Sequence, residues 1–484
     1  MVEHASETVV KYANIIHRCI EEDNPHKIIT SLCMMTREER KSVVSYKVNS
    51  NPALCFACLN NRLGIVKYLI TECDTDIEQR GFYLEPTQNT RIEAPPLWCA
   101  TVPVNGIDVV RFLVEHGADI NGYSDTQSTP LRAACFENNI PLVRYLVENG
   151  ADVHKTNIWN QTCLMSSVGS SELCEYLLRN GADVKSTDSY GNTALHFAVH
   201  ENILDSVTVL IKYDADIYCK VNDGESLLRT AAYKGHDSIV EYLLNIGSYS
   251  GEYIVEAYDL LGAFHVDDDI SKCLTVWTKA LEIRSKSDLG VTHLNCITNN
   301  PDVFQNANEL LTVDEVQKLT DPNDIHMQAL LKYYRIYGEN HVNTSSEIMY
   351  RGEVYLENGC YQTCINLWKY AYRLRFKEED PLDRNSIYSA RKVIYAFCEM
   401  QRACENSSTT DKLDINDLIA TIDLLVNQMK CGKRFLRVFP INLADIEQYQ
   451  YCKFRNYCVH LLLRFCHFRL KCDFDFCDIE KNPV

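Results

Sequence analysis

The chain repeats itself about every 33 residues, and this period limits its architecture more than any other feature. Four segments open alike: Pro95-Pro96-Leu97-Trp98, Thr129-Pro130-Leu131-Arg132, Thr162-Cys163-Leu164-Met165 and Thr193-Ala194-Leu195-His196, with leucines 34, 33 and 31 residues apart. A threonine hydroxyl at the N-cap accepts an orphan backbone N–H, and proline at the first helical position loses no hydrogen bond, so each segment reads as a helix start. A second apolar helix follows each one, at residues 109–113, 142–146, 174–178 and 207–211. Next come Gly117-Ala118-Asp119, Gly150-Ala151-Asp152, Gly181-Ala182-Asp183 and the variant Asp214-Ala215-Asp216. Glycine there permits the left-handed residue that ends a helix, and aspartate supports the turn after it. Two helices and a turn at this spacing are an ankyrin repeat. Weaker copies at 51–70 and 225–244 bring the expected number to six.

The expected fold class is all-α, an ankyrin solenoid followed by a tetratricopeptide-like helical domain. Residues 1–49 hold amphipathic stretches at 9–21 and 27–35 and read as a cap over the apolar end of the array. The repeats run over 50–250. Their one irregularity is the interval Leu54 to Leu97, which is 43 residues and about ten longer than the period. The excess, residues 79–93, reads as a loop overhanging the binding face. Over 251–405 the punctuation changes: Gly262-x2-His265 and Cys273-x3-Trp277-x2-Ala280 are echoed by Gly352-x2-Tyr355 and Cys364-x3-Trp368-x2-Ala371. Small residues at a helix contact and an aromatic on the second helix are the tetratricopeptide pattern. Residues 406–484 open with polar Asn406-Ser407-Ser408-Thr409-Thr410 and then read as a helical tail.

With 48 basic and 66 acidic residues the chain carries a formal charge of −18, which opposes general binding to nucleic acid or an anionic membrane. Basic peptides suit it better. No apolar run approaches ~20 residues and the N-terminus has no secretory pattern, so a cytoplasmic location is expected, with the nucleus as a second compartment. In that setting the 22 cysteines read as reduced, buried small hydrophobes. Cys55-x2-Cys58 has zinc-site spacing but falls in a repeat helix without a second pair, and His196 holds the ordinary histidine position of such a helix. No phosphate loop, Gly-x-Ser-x-Gly elbow or His-Glu-x2-His pair occurs. The expectation is a protein that binds rather than catalyses, with no cofactor and no metal.

The stretch 127–138 carries the candidate site. Arg132 and Phe136 share a helix face, Ser128 precedes the helix, and Glu137 closes it. A hydroxyl, a guanidinium and free N–H groups at the helix start would hold a carboxylate, and Glu137, about 7 Å along the axis, would hold a cation. A peptide ending in arginine or lysine fits both ends. The alternative is a solvated Arg132–Glu137 surface pair.

Ser128 to Phe136 (Ser-Thr-Pro-Leu-Arg-Ala-Ala-Cys-Phe), Ala-Pro-Pro-Leu-Trp ending at Trp98, Asp-Leu-Leu-Gly-Ala from Asp259, Met-Gln-Ala-Leu-Leu from Met327 and Cys-Ile-Asn-Leu-Trp-Lys-Tyr-Ala from Cys364 together resemble the Fem (feminization) family. Its members are ankyrin-repeat substrate receptors of cullin-RING ubiquitin ligases. The resemblance implies that the ankyrin groove binds C-terminal degrons, often ending in arginine. It also implies that Ser128 and Arg132 engage the peptide terminus, that Trp98 and Phe136 line the pocket, and that Glu137, where the family usually has Asp, meets the arginine side chain. A second family acid, from a Phe-Asp-Gly in the long loop, has no counterpart in residues 83–93, where Glu85 and Glu93 are the acids that could substitute. The family goes on to further repeats and a box that docks elongin B/C and a cullin, whereas this sequence stops at Val484. Leu462-x3-Cys466-x3-Leu470 has the spacing of an elongin box core, but residues 461–468 are almost continuously apolar, the pattern of a buried helix. The alternative to a ligase receptor is therefore an interaction scaffold uncoupled from any ligase.

Overall fold

The computed structural model describes residues 7–85, 90–222, 224–286, 302–304, 307–376, 383–405 and 415–438. The elongin-box spacing at Leu462 to Leu470, the apolar run around it and the polar stretch 406–410 lie outside the described residues. Two compact units divide the chain, Met1–Ser248 and Tyr249–Val484. Among the described residues no helix is long and apolar enough to cross a membrane.

The first unit opens with helices Glu7–Glu21, Pro25–Leu32 and Arg37–Ser45, which bury Ile16, Ile20, Ile28, Leu32 and Val44. Six helix pairs follow. Their inner helices are Ala53–Leu59, Pro96–Thr101, Pro130–Phe136, Cys163–Ser166, Ala194–His200 and Leu227–Tyr233. The outer helices are Leu63–Cys73, Ile107–Glu115, Ile140–Glu148, Ser171–Arg179, Leu204–Lys212 and Asp237–Ile246. Outer helices bury one apolar edge, such as Val109, Val110 and Leu113 or Leu142, Val143 and Leu146, and leave their polar sides in water. The punctuation works as its chemistry requires. Gly117, Gly150 and Gly181 sit at φ of 89°, 93° and 92°, and Asp214 takes the same role at 65°. The aspartate two residues on then accepts a backbone N–H through its side chain: Asn121 to Asp119, His154 to Asp152, Lys185 to Asp183 and Tyr218 to Asp216, each at 2.9 Å.

The insertion after the first pair is not the irregular loop that its composition suggests. It is an antiparallel hairpin of strands Gly81–Leu84 and Arg91–Ala94, with Tyr83 opposite Ile92 and Phe82 opposite Glu93. Asn51 fixes its base, accepting from Phe82 N–H at 2.7 Å and donating to Phe82 O at 2.9 Å. The strand pairing and, at Phe82, the Asn51 side chain satisfy the hairpin's backbone, so the segment needs no repeat of its own to be ordered.

In the second unit, helices Gly251–Phe264 and Ile270–Ser285 pack as one pair and Val342–Glu357 and Tyr361–Arg375 as another. The two pairs share one joint. A Cβ on Gly262 would collide with the Trp277 indole, and one on Gly352 with that of Trp368. Each indole N–H donates to the carbonyl three residues before its glycine, Trp277 to Asp259 at 3.1 Å and Trp368 to Met349 at 2.7 Å. The small residue and the aromatic of the sequence pattern are thus the two halves of one contact.

Candidate functional site

Helix Pro130–Phe136 begins where expected, with the Thr129 hydroxyl accepting from Arg132 N–H at 3.2 Å. That bond, and the one from Ala133 N–H to Thr129 O at 3.0 Å, leave fewer free N–H groups at the helix start than a carboxylate site built on the helix alone would need. The turn before it is tight: Gln127 has φ 59°, Ser124 N–H donates to Ser128 O at 2.9 Å, and Ser128 N–H donates to Ser124 Oγ at 3.1 Å. Ser128 is therefore buried with its hydroxyl facing Arg132.

Arg132 does not pair with Glu137. Its Nη1 donates to Ser128 Oγ at 3.1 Å and its Nη2 to Gln161 Oε1 at 2.7 Å, while Nε is buried without a partner. Both acceptors are neutral, and burial lowers the guanidinium's affinity for its proton, which no neighbouring carboxylate restores. Phe136, 69% exposed, and Glu137 stand in solvent at the far end of the same helix. The structure thus separates the two charges that the surface-pair reading joins.

Trp98 occupies the same place in its repeat as Arg132, one residue after the shared leucine. The residue is 5% exposed, and its Nε1 is buried with no hydrogen-bond partner. Tyr83 of the hairpin lies across it with ring centroids 6.0 Å apart. The Tyr83 phenol is pushed up by burial and by the carboxylates of Glu137 and Glu85, which brings those two acids to the neighbourhood of one hydroxyl. Strand alternation explains why it is Glu85 and not Glu93. Tyr83 and Glu85 share one face, whereas Glu93, opposite Phe82, lies 3.6 Å from Lys47 on the other. Glu85 also accepts from Thr90 Oγ1 at 3.0 Å.

Sequence reasoning did not single out Gln161 or Tyr83. Gln161 was legible, because it lies 33 residues after Ser128 and holds the same turn position one repeat later. Asn157 fixes it, accepting from Gln161 N–H at 2.9 Å and donating to its Oε1 at 3.1 Å. Tyr83 lies in the insertion, where no repeat register points to it. Cys55 and Cys58 are buried, Cys55 donating to Gln79 O at 3.1 Å, and His196 Nδ1 accepts from Thr193 N–H at 3.1 Å. The first two pack in the core and the third caps its helix.

Residues 82–157, 132–221 and 162–253 match the family profile described as ankyrin repeats. Protein fem-1 homolog CG6966 of Drosophila melanogaster is 35% identical over 441 residues, covering 88% of this chain and 64% of its own length. Protein fem-1 homolog A-like of Mus musculus is 31% identical over 448 residues, covering 81% and 66%. Protein fem-1 homolog C of Homo sapiens is 34% identical over 237 residues, covering 47% and 38%. The chain spans less than two thirds of the length of these relatives. With its repeats, and with similarity running through both helical units, the chain belongs to the Fem family of ankyrin-repeat proteins.

Proposed function

We propose that the ankyrin unit is a non-catalytic receptor for the carboxyl termini of other polypeptides, with arginine as the favoured last residue. The observation that carries this reading is Arg132. A guanidinium withdrawn from water, held only by neutral oxygens and with one N–H unbonded, is unfavourable as it stands and favourable once a carboxylate docks on it. Ser128 supplies a hydroxyl beside it, and Trp98 a buried indole N–H one repeat away. Phe136 walls the pocket, and Glu137 with Glu85 around Tyr83 gives an acidic end for a terminal guanidinium. Family membership extends the reading: the captured chains are degrons, and the protein acts in the cytoplasm as substrate-recognition subunit of a cullin-RING ligase, through elongin B/C.

The two parts are tested separately. A fluorescent peptide ending in free-acid arginine should bind at least about tenfold more tightly than its C-terminal amide, since a charge-assisted contact contributes ~1.5 to 3 kcal/mol. Equal anisotropy titrations for acid and amide would overturn peptide-end capture. Copurification of elongin B/C with the chain supports the ligase role, and its absence leaves an ankyrin interaction scaffold.

A further inference from the structure

Large apolar side chains are not exposed evenly over the described ankyrin pairs. The outer helices expose only Ile246, at the end of the last one; the other exposed large apolar side chains, Val104 among them at 85%, lie on the hairpin, the inner helices and the loops, and Ile158, Trp159 and Tyr190 fall in successive turns between pairs. Trp159 is the anomaly among these. Of the four tryptophans in the chain, Trp98, Trp277 and Trp368 are at most 5% exposed, while Trp159 is 43% exposed. A solvent-facing indole on a monomer surface marks a contact more often than an accident.

Trp159 and Tyr190 hold the same place in successive turns. Trp159 N–H donates to Asn157 Oδ1 at 3.0 Å and Tyr190 N–H to Asp188 Oδ1 at 2.9 Å. The turns are joined edge to edge: Ile158 N–H donates to Thr126 O at 3.0 Å and Ser189 N–H to Trp159 O at 2.9 Å. Thr126 is the corresponding residue in the turn before Arg132, so the aromatic ridge starts one repeat beyond the carboxylate site. The connection is direct, because Gln161, two residues after Trp159, holds Arg132. On the other side of Arg132 the Gly81–Ala94 hairpin lays Tyr83 over Trp98. On the carboxyl-terminus reading, a chain that ends at Arg132 and is kept off the hairpin side would leave over Gln161.

We propose that Trp159 and Tyr190 form a second subsite that grips an apolar or aromatic residue upstream in the same captured polypeptide. This rests on the carboxyl-terminus reading above. Helices of neighbouring repeats pack about 8–10 Å apart and an extended chain advances about 3.3 Å per residue, so the gripped residue lies roughly three to six positions before the end.

Two free-acid twelve-residue probes test it, both ending Gly-Ala-Arg. One carries Phe at the fourth and sixth positions before the last residue, and the other carries Ser there. The Phe probe should bind about tenfold more tightly, and the Trp159→Ala/Tyr190→Ala double variant should lose that advantage while binding the Ser probe as the unaltered protein does. Both residues are exposed, and circular dichroism verifies that the variant is folded. The Phe probe should also shield Trp159 from acrylamide quenching. Equal affinity for the two probes, or an advantage that survives the double substitution, overturns the ridge. Equal affinity for acid and amide versions of the Ser probe strikes instead at the carboxylate site.

Discussion

Lys332 and Arg335 in the second unit and Arg132 in the ankyrin unit are all cations withdrawn from water, but they are compensated in opposite ways. Lys332 and Arg335 side chains are 3% and 4% exposed, and so nearly are those of their carboxylates, Asp259 at 2% and Glu309 at 3%. Lys332 Nζ lies 2.6 Å from Asp259 Oδ1 and 3.6 Å from Glu309 Oε1, while Arg335 reaches both acids, its Nε 3.0 Å from Glu309 Oε2. Two positive and two negative side chains are bonded directly, with Arg284 and Glu256 close enough to act on Asp259 and Arg335, although Arg335 Nη1 keeps no hydrogen bond. Arg132 has only a serine hydroxyl and a glutamine carbonyl. Burial penalises every one of these charges. Where the chain supplies the counter-charge, the cluster is part of the fold; where it supplies none, the proposed peptide carboxylate would bring it.

The largest effect that tests this contrast is on stability in the second unit. Asp259→Ala leaves two buried cations with Glu309 as their bonded acid and Glu256 nearby, and should cost ~3–5 kcal/mol in urea unfolding of the full chain, read on that unit's transition. The pH dependence follows the same logic. Burial pushes the Asp259 carboxyl up, but Lys332 and Arg335 overcome it and hold it below the ordinary carboxylate range. A carboxyl depressed in the folded state stabilises above its unfolded pKa of about 3.9 and loses that contribution as pH falls through the folded value. The unaltered protein should therefore lose stability below about pH 4, more steeply than an Asp259→Asn variant does.

Arg132→Met is the reciprocal change. It removes a buried charge that has no internal counter-charge, so stability should move by ~1 kcal/mol or less, while binding of a free-acid peptide should weaken by ~1.5 to 3 kcal/mol. Denaturation and anisotropy on one preparation check both. A destabilisation as large as that of Asp259→Ala would make Arg132 a structural cation and erase the distinction between the two regions.

The sequence made these two regions legible to different degrees. Helix starts, helix ends and the glycine–tryptophan joints are local: Thr129, Gly150 and Gly262 each act on atoms within a few residues or across one hairpin of helices, so spacing reveals them. Arg132 and Ser128 were visible for that reason. Periodicity marks Gln161 as the counterpart of Ser128, but it could not say that this residue answers Arg132. Gln161 is 29 residues away and Tyr83 reaches the site on a hairpin that interrupts the period. The Asp259–Lys332–Arg335–Glu309 cluster was hidden for the same cause, since 73 residues separate Lys332 from Asp259. Charge alone could not distinguish a cation paired with carboxylates from one held by neutral oxygens, because both look like a basic residue on an amphipathic helix.

The smallest effect falls at the other end of the candidate pocket. Glu137 is exposed, and it acts with Glu85 on Tyr83 rather than on Arg132. Glu137→Gln should then leave stability within ~0.5 kcal/mol, as surface changes do. Its effect should be one of selectivity. A carboxylate can accept a terminal guanidinium through two parallel N–H bonds, and a glutamine offers one neutral oxygen, so affinity for Arg-ended peptides should fall by ~1 kcal/mol, more than for Ala-ended ones. Glu85→Gln should act in the same direction and by a similar amount, because both carboxylates act on the Tyr83 phenol. Competition titrations with Arg-ended and Ala-ended peptides of otherwise equal sequence measure the difference. An equal loss for both peptides would leave Glu137 without a part in choosing the last side chain, and would confine recognition to the carboxylate at Arg132.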